Sequence, residues 1–133
     1  MPTLEIYDGW WPRPLVERAQ ANLRRLNEAG APIALGTDFE PGLQTGMPAT
    51  EMRLMREAGM TPMQVIVAAT KHGAHVCGLD SELGTIEPGK IADVLVVAGD
   101  PLVDLGVLKT RKILVLHNGR VAFSRLTSAS VLR

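Results

Sequence analysis

Ala31-Pro32-Ile33-Ala34-Leu35-Gly36-Thr37-Asp38-Phe39 is a short apolar run that ends in a glycine, a threonine and a carboxylate. Such a run between turn formers is typical of a strand buried in a parallel sheet, although periodicity alone does not exclude a helix. A helical pattern ending at Gly30 precedes the run, and a loop rich in Gly and Pro follows it. This order predicts a buried strand over 33–37 with Asp38 at its carboxyl end.

Helical patterns flank this predicted strand on both sides. Pro14 suits the first turn of an amphipathic helix that ends at Gly30, whereas residues 1–12 are predicted to be irregular. A second helix is predicted from about Pro48 to Gly59. Thr61, Pro62 and Gln64 form the pattern of a capping box, which predicts a third helix running to Gly78.

From about residue 80 the pattern changes from helical spacing to short runs with β propensity. Asn118-Gly119 lies between two of these runs and predicts a tight hairpin, because both residues tolerate positive φ. The chain is therefore divided into a helical part, 1–79, and a β-rich part, 80–133, that ends in a tail from residue 124. Strands are predicted over 83–86, 94–97, 113–116 and 121–123.

Composition excludes several classes of partner. The 133 residues carry 14 basic and 14 acidic side chains, so the chain has no net charge with which to attract nucleic acid or an anionic membrane. No run of apolar residues is long enough for a membrane span, and the start of the chain has no signal-peptide pattern. The single cysteine, Cys77, rules out a disulfide framework and favours a cytoplasmic protein.

Three segments together resemble a known family. They are Gly36-Thr37-Asp38, then Ala58-Gly59-Met60-Thr61-Pro62-Met63-Gln64-Val65-Ile66, and then Leu83-Gly84-Thr85-Ile86-Glu87-Pro88-Gly89-Lys90-Ile91-Ala92-Asp93-Val94-Leu95-Val96-Val97. The chain resembles the C-terminal part of a metal-dependent amidohydrolase, and it resembles the imidazolonepropionase and prolidase-like members in particular. The resemblance runs from roughly residue 20 to residue 123, and the third segment is its most specific part.

The resemblance implies an α/β chain that forms the C-terminal portion of a (β/α)8 barrel, followed by strands of a small β-sandwich domain. Residues 1–79 would hold the last helix-strand-helix units of the barrel, and 80–133 the β-rich segment and tail. The implied reaction is hydrolysis, by a metal-activated water, of a C–N bond in a small molecule. That bond is either not an ordinary peptide bond or belongs to a dipeptide-like amide.

Asp38 matches the family's metal ligand at the end of the last barrel strand. In that role it binds a divalent metal, with zinc favoured, and accepts the proton of the attacking water. Gly42, Leu43 and Gln44 are predicted to line the mouth of the substrate site. Without the resemblance, an Asp that ends a strand is more commonly a turn or capping residue.

Two other interpretations remain open. The chain has no His-x-His pair, all three histidines follow Asp38, and one carboxylate does not make a zinc site. The chain is also about half the length of a typical barrel. It could therefore be a catalytically incomplete module that acts by self-association or with a missing N-terminal half of the barrel. An unrelated α/β binding domain would need a closed sheet that includes 33–37.

The remaining chemically active side chains favour structural roles. His72 and His75, spaced i,i+3, are predicted to be surface or packing residues, and His117 a hairpin residue. Cys77 is predicted to be a small buried side chain. Five methionines are predicted to lie in the core or to support the substrate loop, with the core favoured, namely Met47, Met52, Met55, Met60 and Met63.

Overall fold

A computed structural model of the chain describes residues 1–38 and 46–126. The described part begins with helices and ends with a small antiparallel sheet. No helix in these two ranges is long and apolar enough to cross a bilayer. The elements are α1 (Leu4–Trp10), α2 (Arg13–Glu28), α3 (Ala49–Glu57), α4 (Pro62–Ala69), α5 (Lys71–Val76), β1 (Val94–Val97), α6 (Val107–Thr110), β2 (Lys112–His117) and β3 (Arg120–Ser124).

The prediction that residues 1–12 are irregular is wrong, because they contain the helix α1. Pro2 and Pro12 lie outside this helix rather than within it, so they do not interrupt its hydrogen bonds. Leu4 is fully buried and belongs to the hydrophobic core. The burial of this side chain, a tertiary contact, stabilises a helix that is too short to form alone.

Polar side chains of α2 bind the carboxyl-terminal end of α3. Gln20 donates to the Leu54 carbonyl, and the Arg24 guanidinium donates to the carbonyls of Glu57 and Ala58 at 3.3 and 3.2 Å. A cation at this end of a helix satisfies carbonyls that have no partner within the helix and interacts favourably with its dipole. These bonds hold α2 and α3 side by side.

The predicted capping box is confirmed at the start of α4. Thr61 Oγ1 accepts from the Gln64 N–H, and Gln64 Oε1 accepts from the Thr61 N–H. The single helix predicted to run to Gly78 is wrong, because it breaks at Thr70, where φ is −118° and ψ −85°. The backbone of Gly84 approaches so closely that a Cβ there would lie 3.0 Å from the Thr70 carbonyl oxygen.

The predicted strand over 33–37 is also wrong, because residues 31–38 belong to no strand or helix. Ile33 and Ala34 are buried as expected. A strand needs hydrogen bonds to a neighbouring strand, however, and the sheet of the described residues contains only β1, β2 and β3. The segment instead forms a hydrogen bond with helix α4, because the Leu35 N–H donates to the Ala68 carbonyl at 2.9 Å.

The sheet confirms three of the four predicted strands. β2 lies in the middle and pairs antiparallel with β1 and β3, and α6 contacts β1 and β2. The predicted hairpin turn is confirmed, with φ of 50° at Asn118 and 71° at Gly119 between the paired His117 and Arg120.

The strand predicted over 83–86 is wrong, because these residues form turns and irregular structure. Lys90 explains this conformation. Its Nζ donates to Thr85 Oγ1 and to the Asp80 carbonyl, both at 2.7 Å, and so holds the segment as a folded loop.

The core lies where α1, α2, α3 and α4 meet the segment that ends at Asp38. The prediction that the methionines lie in the core is confirmed for Met52, Met55 and Met60. It is wrong for Met63, whose side chain is 51% exposed, and Met47 packs against the core while half-buried.

The prediction that Cys77 is buried is wrong, because this side chain is exposed at the end of α5. The buried core residues are Leu4, Leu23, Ile33, Met52, Leu54, Met55, Ala58, Met60, Val65 and Ala68.

Candidate functional site

Asp38 is exposed at the end of the apolar segment 33–37. Its φ of 53° lies in the left-handed region, which Asp tolerates better than most residues because its short polar side chain can bond locally. The chain therefore turns sharply at this carboxylate. The predicted substrate-binding residues Gly42, Leu43 and Gln44 lie outside the described residues.

Two hydrogen bonds from the α4–α5 region hold the segment that carries Asp38. The Leu35 N–H donates to the Ala68 carbonyl at 2.9 Å, and His72 Nδ1 donates to the Ile33 carbonyl at 2.8 Å. The second bond requires the His72 tautomer that carries its proton on Nδ1. The prediction that His72 is a packing or surface residue is consistent with this contact. The bond itself spans 39 positions along the chain, so no local pattern could have indicated it.

The other two histidines form separate, exposed pairs with carboxylates. His75 Nδ1 lies 3.0 Å from Asp80 Oδ2, and His117 Nδ1 lies 3.2 Å from Asp93 Oδ1. The hydrogen bond from His75 lowers the pKa of Asp80. His117 adjoins the hairpin turn, as predicted. Each histidine therefore has a structural partner other than Asp38.

The described residues do not supply the donor set of a metal centre by themselves. Within residues 1–38 and 46–126, no group of three or more His, Cys, Asp or Glu side chains is arranged to hold a metal ion. A catalytic zinc ordinarily takes three protein ligands and a water molecule. Asp38 supplies one carboxylate, so the described residues do not fit a complete zinc site.

Glu51 is a titratable residue that the sequence did not single out. It lies in the first turn of α3, is fully buried, and accepts the Glu5 N–H at 2.6 Å through Oε2. Its other carboxyl oxygen, Oε1, is buried without a hydrogen-bond partner among the described residues. Burial raises the pKa of Glu51. Glutamate is rarely fully buried, so the sequence contains no signal of this burial.

A cavity of about 290 Å³ lies at the other end of the Asp38 segment. Pro32 and Ile33 line it together with Met60, Val67 and His72. Because it adjoins the amino end of the segment, the cavity is not the immediate surroundings of the Asp38 carboxylate. Asp38 is not among the residues that line the cavity, so the cavity is not the candidate substrate site.

Asp93 connects the loop after α5 to the sheet. Its Oδ1 accepts the Asn118 N–H at 2.6 Å, and the Gly119 N–H donates to the neighbouring Ala92 carbonyl at 3.0 Å. The most specific of the three family-like segments thus has an observable structural role. The hydrogen bonds of Lys90 stabilise the loop, and the bond from the Asn118 N–H to Asp93 links the loop to the hairpin between β2 and β3.

Comparison with known proteins shows which families and solved structures are similar to this chain in sequence and in fold. The sequence profile of the Amidohydrolase family matches residues 13–123. An imidazolonepropionase from Geobacillus kaustophilus is 40% identical over 78 residues, which are 57% of this chain and 18% of that protein. An amidohydrolase crystal structure superposes with a TM-score of 0.76 at 31% identity, covering 86% of this chain and 28% of that one.

A second solved structure is that of a Xaa-Pro dipeptidase with methionine bound in its active site. It superposes with a TM-score of 0.70 at 30% identity, covering 91% of this chain and 33% of the dipeptidase. The chain therefore spans about a fifth of the length of the imidazolonepropionase and about a third of the two solved chains.

Proposed function

Because the chain belongs to the amidohydrolase family, we propose that it carries the Asp38 region of a hydrolase that cleaves an amide-type C–N bond in a small molecule. The bond is either one other than an ordinary peptide bond or one in a dipeptide-like substrate. In the whole enzyme, residues 1–79 would contribute the closing units of a (β/α)8 barrel and residues 80–133 strands of a small β-sandwich. The observation that carries the proposal is the exposed carboxylate at the end of the Gly36-Thr37-Asp38 segment, within the family match.

The proposed role of Asp38 is proton transfer. Its carboxylate accepts a proton from the water that attacks the substrate carbonyl, and returns that proton to the leaving nitrogen when the C–N bond breaks. A group in this role must reach bulk water and substrate, which the exposed position of Asp38 permits. Gly42, Leu43 and Gln44 follow closely in sequence, and we propose that they line the substrate mouth.

We propose a divalent metal ion, with zinc favoured, as the cofactor of the whole enzyme. Asp38 would provide one ligand. The remaining protein ligands would come from outside the described residues, which contain no group of three or more His, Cys, Asp or Glu side chains that could hold a metal ion.

Exposed apolar residues favour a second candidate function, an assembly module. β1 and β3 are edge strands of the described sheet, and Val121 on β3 is 65% exposed. Ile86 and Val103, in the loops beside the sheet, are 87% and 85% exposed. Unpaired strand edges and exposed apolar side chains favour pairing with another polypeptide. The partner would be the rest of the barrel or a second copy of the chain.

The decisive experiment compares Asp38→Asn with Glu28→Gln, each introduced in the native host and purified from it. Glu28 is an exposed acidic residue at the end of α2, so its variant matches the change in charge without touching the candidate site. Hydrolysis would be assayed with a panel of Xaa-Pro dipeptides and a cyclic imidazolone amide. We expect Asp38→Asn to lower kcat about 100-fold or more, as for loss of an acid–base group, and Glu28→Gln to leave it unchanged.

Native mass and metal content of the same preparations separate the two candidate functions. An Asp38→Asn protein that keeps wild-type kcat would contradict the role proposed for Asp38. If the 133-residue chain alone binds stoichiometric zinc and hydrolyses amides, the assembly module is wrong. If it binds no zinc and self-associates, the assembly module is supported.

A further inference from the structure

We propose that His72 is a positioning residue for Asp38. By donating from Nδ1 to the backbone of the segment 33–37, it places the Asp38 carboxylate for proton transfer. The proposal rests on the role proposed above for Asp38 and deepens it. It gives a functional role to a side chain that bonds to the amino end of the segment, whereas the carboxylate lies at the other end.

Two complementary hydrogen bonds reach the backbone on either side of Ala34. The Ile33 carbonyl accepts from His72 Nδ1 at 2.8 Å, and the Leu35 N–H donates to the Ala68 carbonyl at 2.9 Å. A neighbouring strand in a parallel sheet bonds to the same two groups, the carbonyl before a residue and the N–H after it. His72 and Ala68 therefore take the place of a strand at this edge, and the two bonds fix the position and the direction of the segment.

The break between α4 and α5 makes both partners available to the segment. In a continuous helix the Ala68 carbonyl would accept the backbone N–H of His72, four positions later. The chain departs from helical geometry at Thr70, and the Ala68 carbonyl accepts the Leu35 N–H. Because the backbone of Gly84 lies against the Thr70 carbonyl, the position of His72 also depends on the loop after α5.

Packing alone does not hold the amino end of the segment on every side. Ile33 and Ala34 are buried, with 7% and 4% of their surface exposed. Ile33 and His72 both line the cavity of about 290 Å³, however, so open space adjoins the bond between them. Without the donor, the Ile33 carbonyl would favour a rearrangement toward a new donor, and the cavity leaves room for it. The hydrogen bond therefore determines where the segment lies.

A shift at Ile33 is carried to Asp38 by the short backbone between them. The chain turns sharply at Asp38, where φ is 53°, so a small rotation of the preceding residues redirects the carboxylate. Proton transfer requires heavy atoms about 2.6–3.2 Å apart. A misplacement of about 1 Å can lower the rate about 100-fold. His72 thus acts on the rate through the position of Asp38.

His72→Leu and His72→Asn form a matched pair of variants. Their new side chains branch at the same carbon and have the same number of heavy atoms, but only the amide can donate from the place of Nδ1. Both would be introduced in the native host and assayed with the substrates used for Asp38→Asn. We expect His72→Leu to lower kcat about 10- to 100-fold and His72→Asn to restore most of it. His75→Leu is the control on the same helix and should leave kcat unchanged, because His75 bonds to Asp80.

A double variant with Asp38→Asn separates positioning from a general structural effect. If His72 acts through Asp38, His72→Leu should not lower the residual kcat of Asp38→Asn any further. The same fractional loss in both backgrounds would overturn the proposal. If Asp38→Asn lowers kcat but His72→Leu does not, the positioning role is wrong and the proposed function stands. If Asp38→Asn keeps wild-type kcat, both are wrong.

The wild-type protein provides a second test, which applies even if His72→Leu does not fold. Nitrogen NMR of the His72 imidazole reports which ring nitrogen carries a proton. Nδ1 carries one in the neutral tautomer that this bond requires and also in the doubly protonated ring. We expect a protonated Nδ1. A neutral ring protonated only on Nε2 would overturn the proposal, because it could not donate to the Ile33 carbonyl.

Discussion

Gly84→Ala tests whether the break between α4 and α5 depends on the close approach of the following loop. Gly84 has φ of +90°, and a Cβ there would lie 2.7 Å from Ala74 Cβ, 3.0 Å from the Thr70 carbonyl oxygen and 3.1 Å from Lys71 Cα. Carbon atoms in favourable contact are about 3.5–4.0 Å apart, so the new methyl group overlaps three atoms that cannot rotate away. The loop or the helix must move.

The expected cost of this substitution has two parts. Overpacking of this kind costs about 1–3 kcal/mol. Placing a Cβ at positive φ costs about 1–2 kcal/mol more. Together these terms predict a loss of about 2–5 kcal/mol in the free energy of unfolding. With an m-value of about 2 kcal/mol/M, the midpoint of urea unfolding should fall by about 1 to 2.5 M.

Gly89→Ala separates the two terms. Gly89 has φ of +89°, almost the same as Gly84, but nothing lies within 4 Å of the position that a Cβ on this residue would take. Its substitution should cost only the conformational part, about 1–2 kcal/mol. Equal urea midpoints for the two alanine variants would refute the argument, because the close contacts of Gly84 would then have no measurable effect.

Two further substitutions test individual hydrogen bonds by the same urea assay. Lys90→Met keeps the length of the side chain but leaves the Asp80 carbonyl and the Thr85 hydroxyl without their donor, so it should lower the free energy of unfolding by about 1–3 kcal/mol. An unchanged midpoint would mean that water replaces the ammonium group at no cost. Thr61→Ala removes the cap that accepts the Gln64 N–H and should cost about 1 kcal/mol, whereas Thr61→Ser should restore most of it.

Features that depend on neighbours in sequence were predictable. The capping box joins Thr61 and Gln64, three positions apart, and the hairpin turn needs only Asn118 and Gly119 to adopt positive φ. Both are confirmed, because the interactions that form them lie within a few residues of each other. The family resemblance likewise depends on local strings of sequence, and it identified Asp38 as the residue on which the proposed chemistry rests.

Features that depend on contacts between distant residues were not predictable. The apolar run 33–37 has a composition typical of a buried strand. A strand forms, however, only where a neighbouring strand pairs with it through hydrogen bonds. Here the Ala68 carbonyl and His72, from α4 and α5, bond to this run instead. The helix break at Thr70 likewise coincides with the approach of Gly84, fourteen positions later.

The sequence by itself determined the helical first part, three strands of the sheet, the local caps and turns, and the family to which the chain belongs. Only the tertiary structure decided that α1 packs into the core, that Cys77 is exposed, and that Glu51 is buried with one oxygen that has no hydrogen-bond partner among the described residues. The physical reason is the range of the interactions. Propensity and capping act over one turn of chain, whereas burial depends on which distant segments cover a side chain.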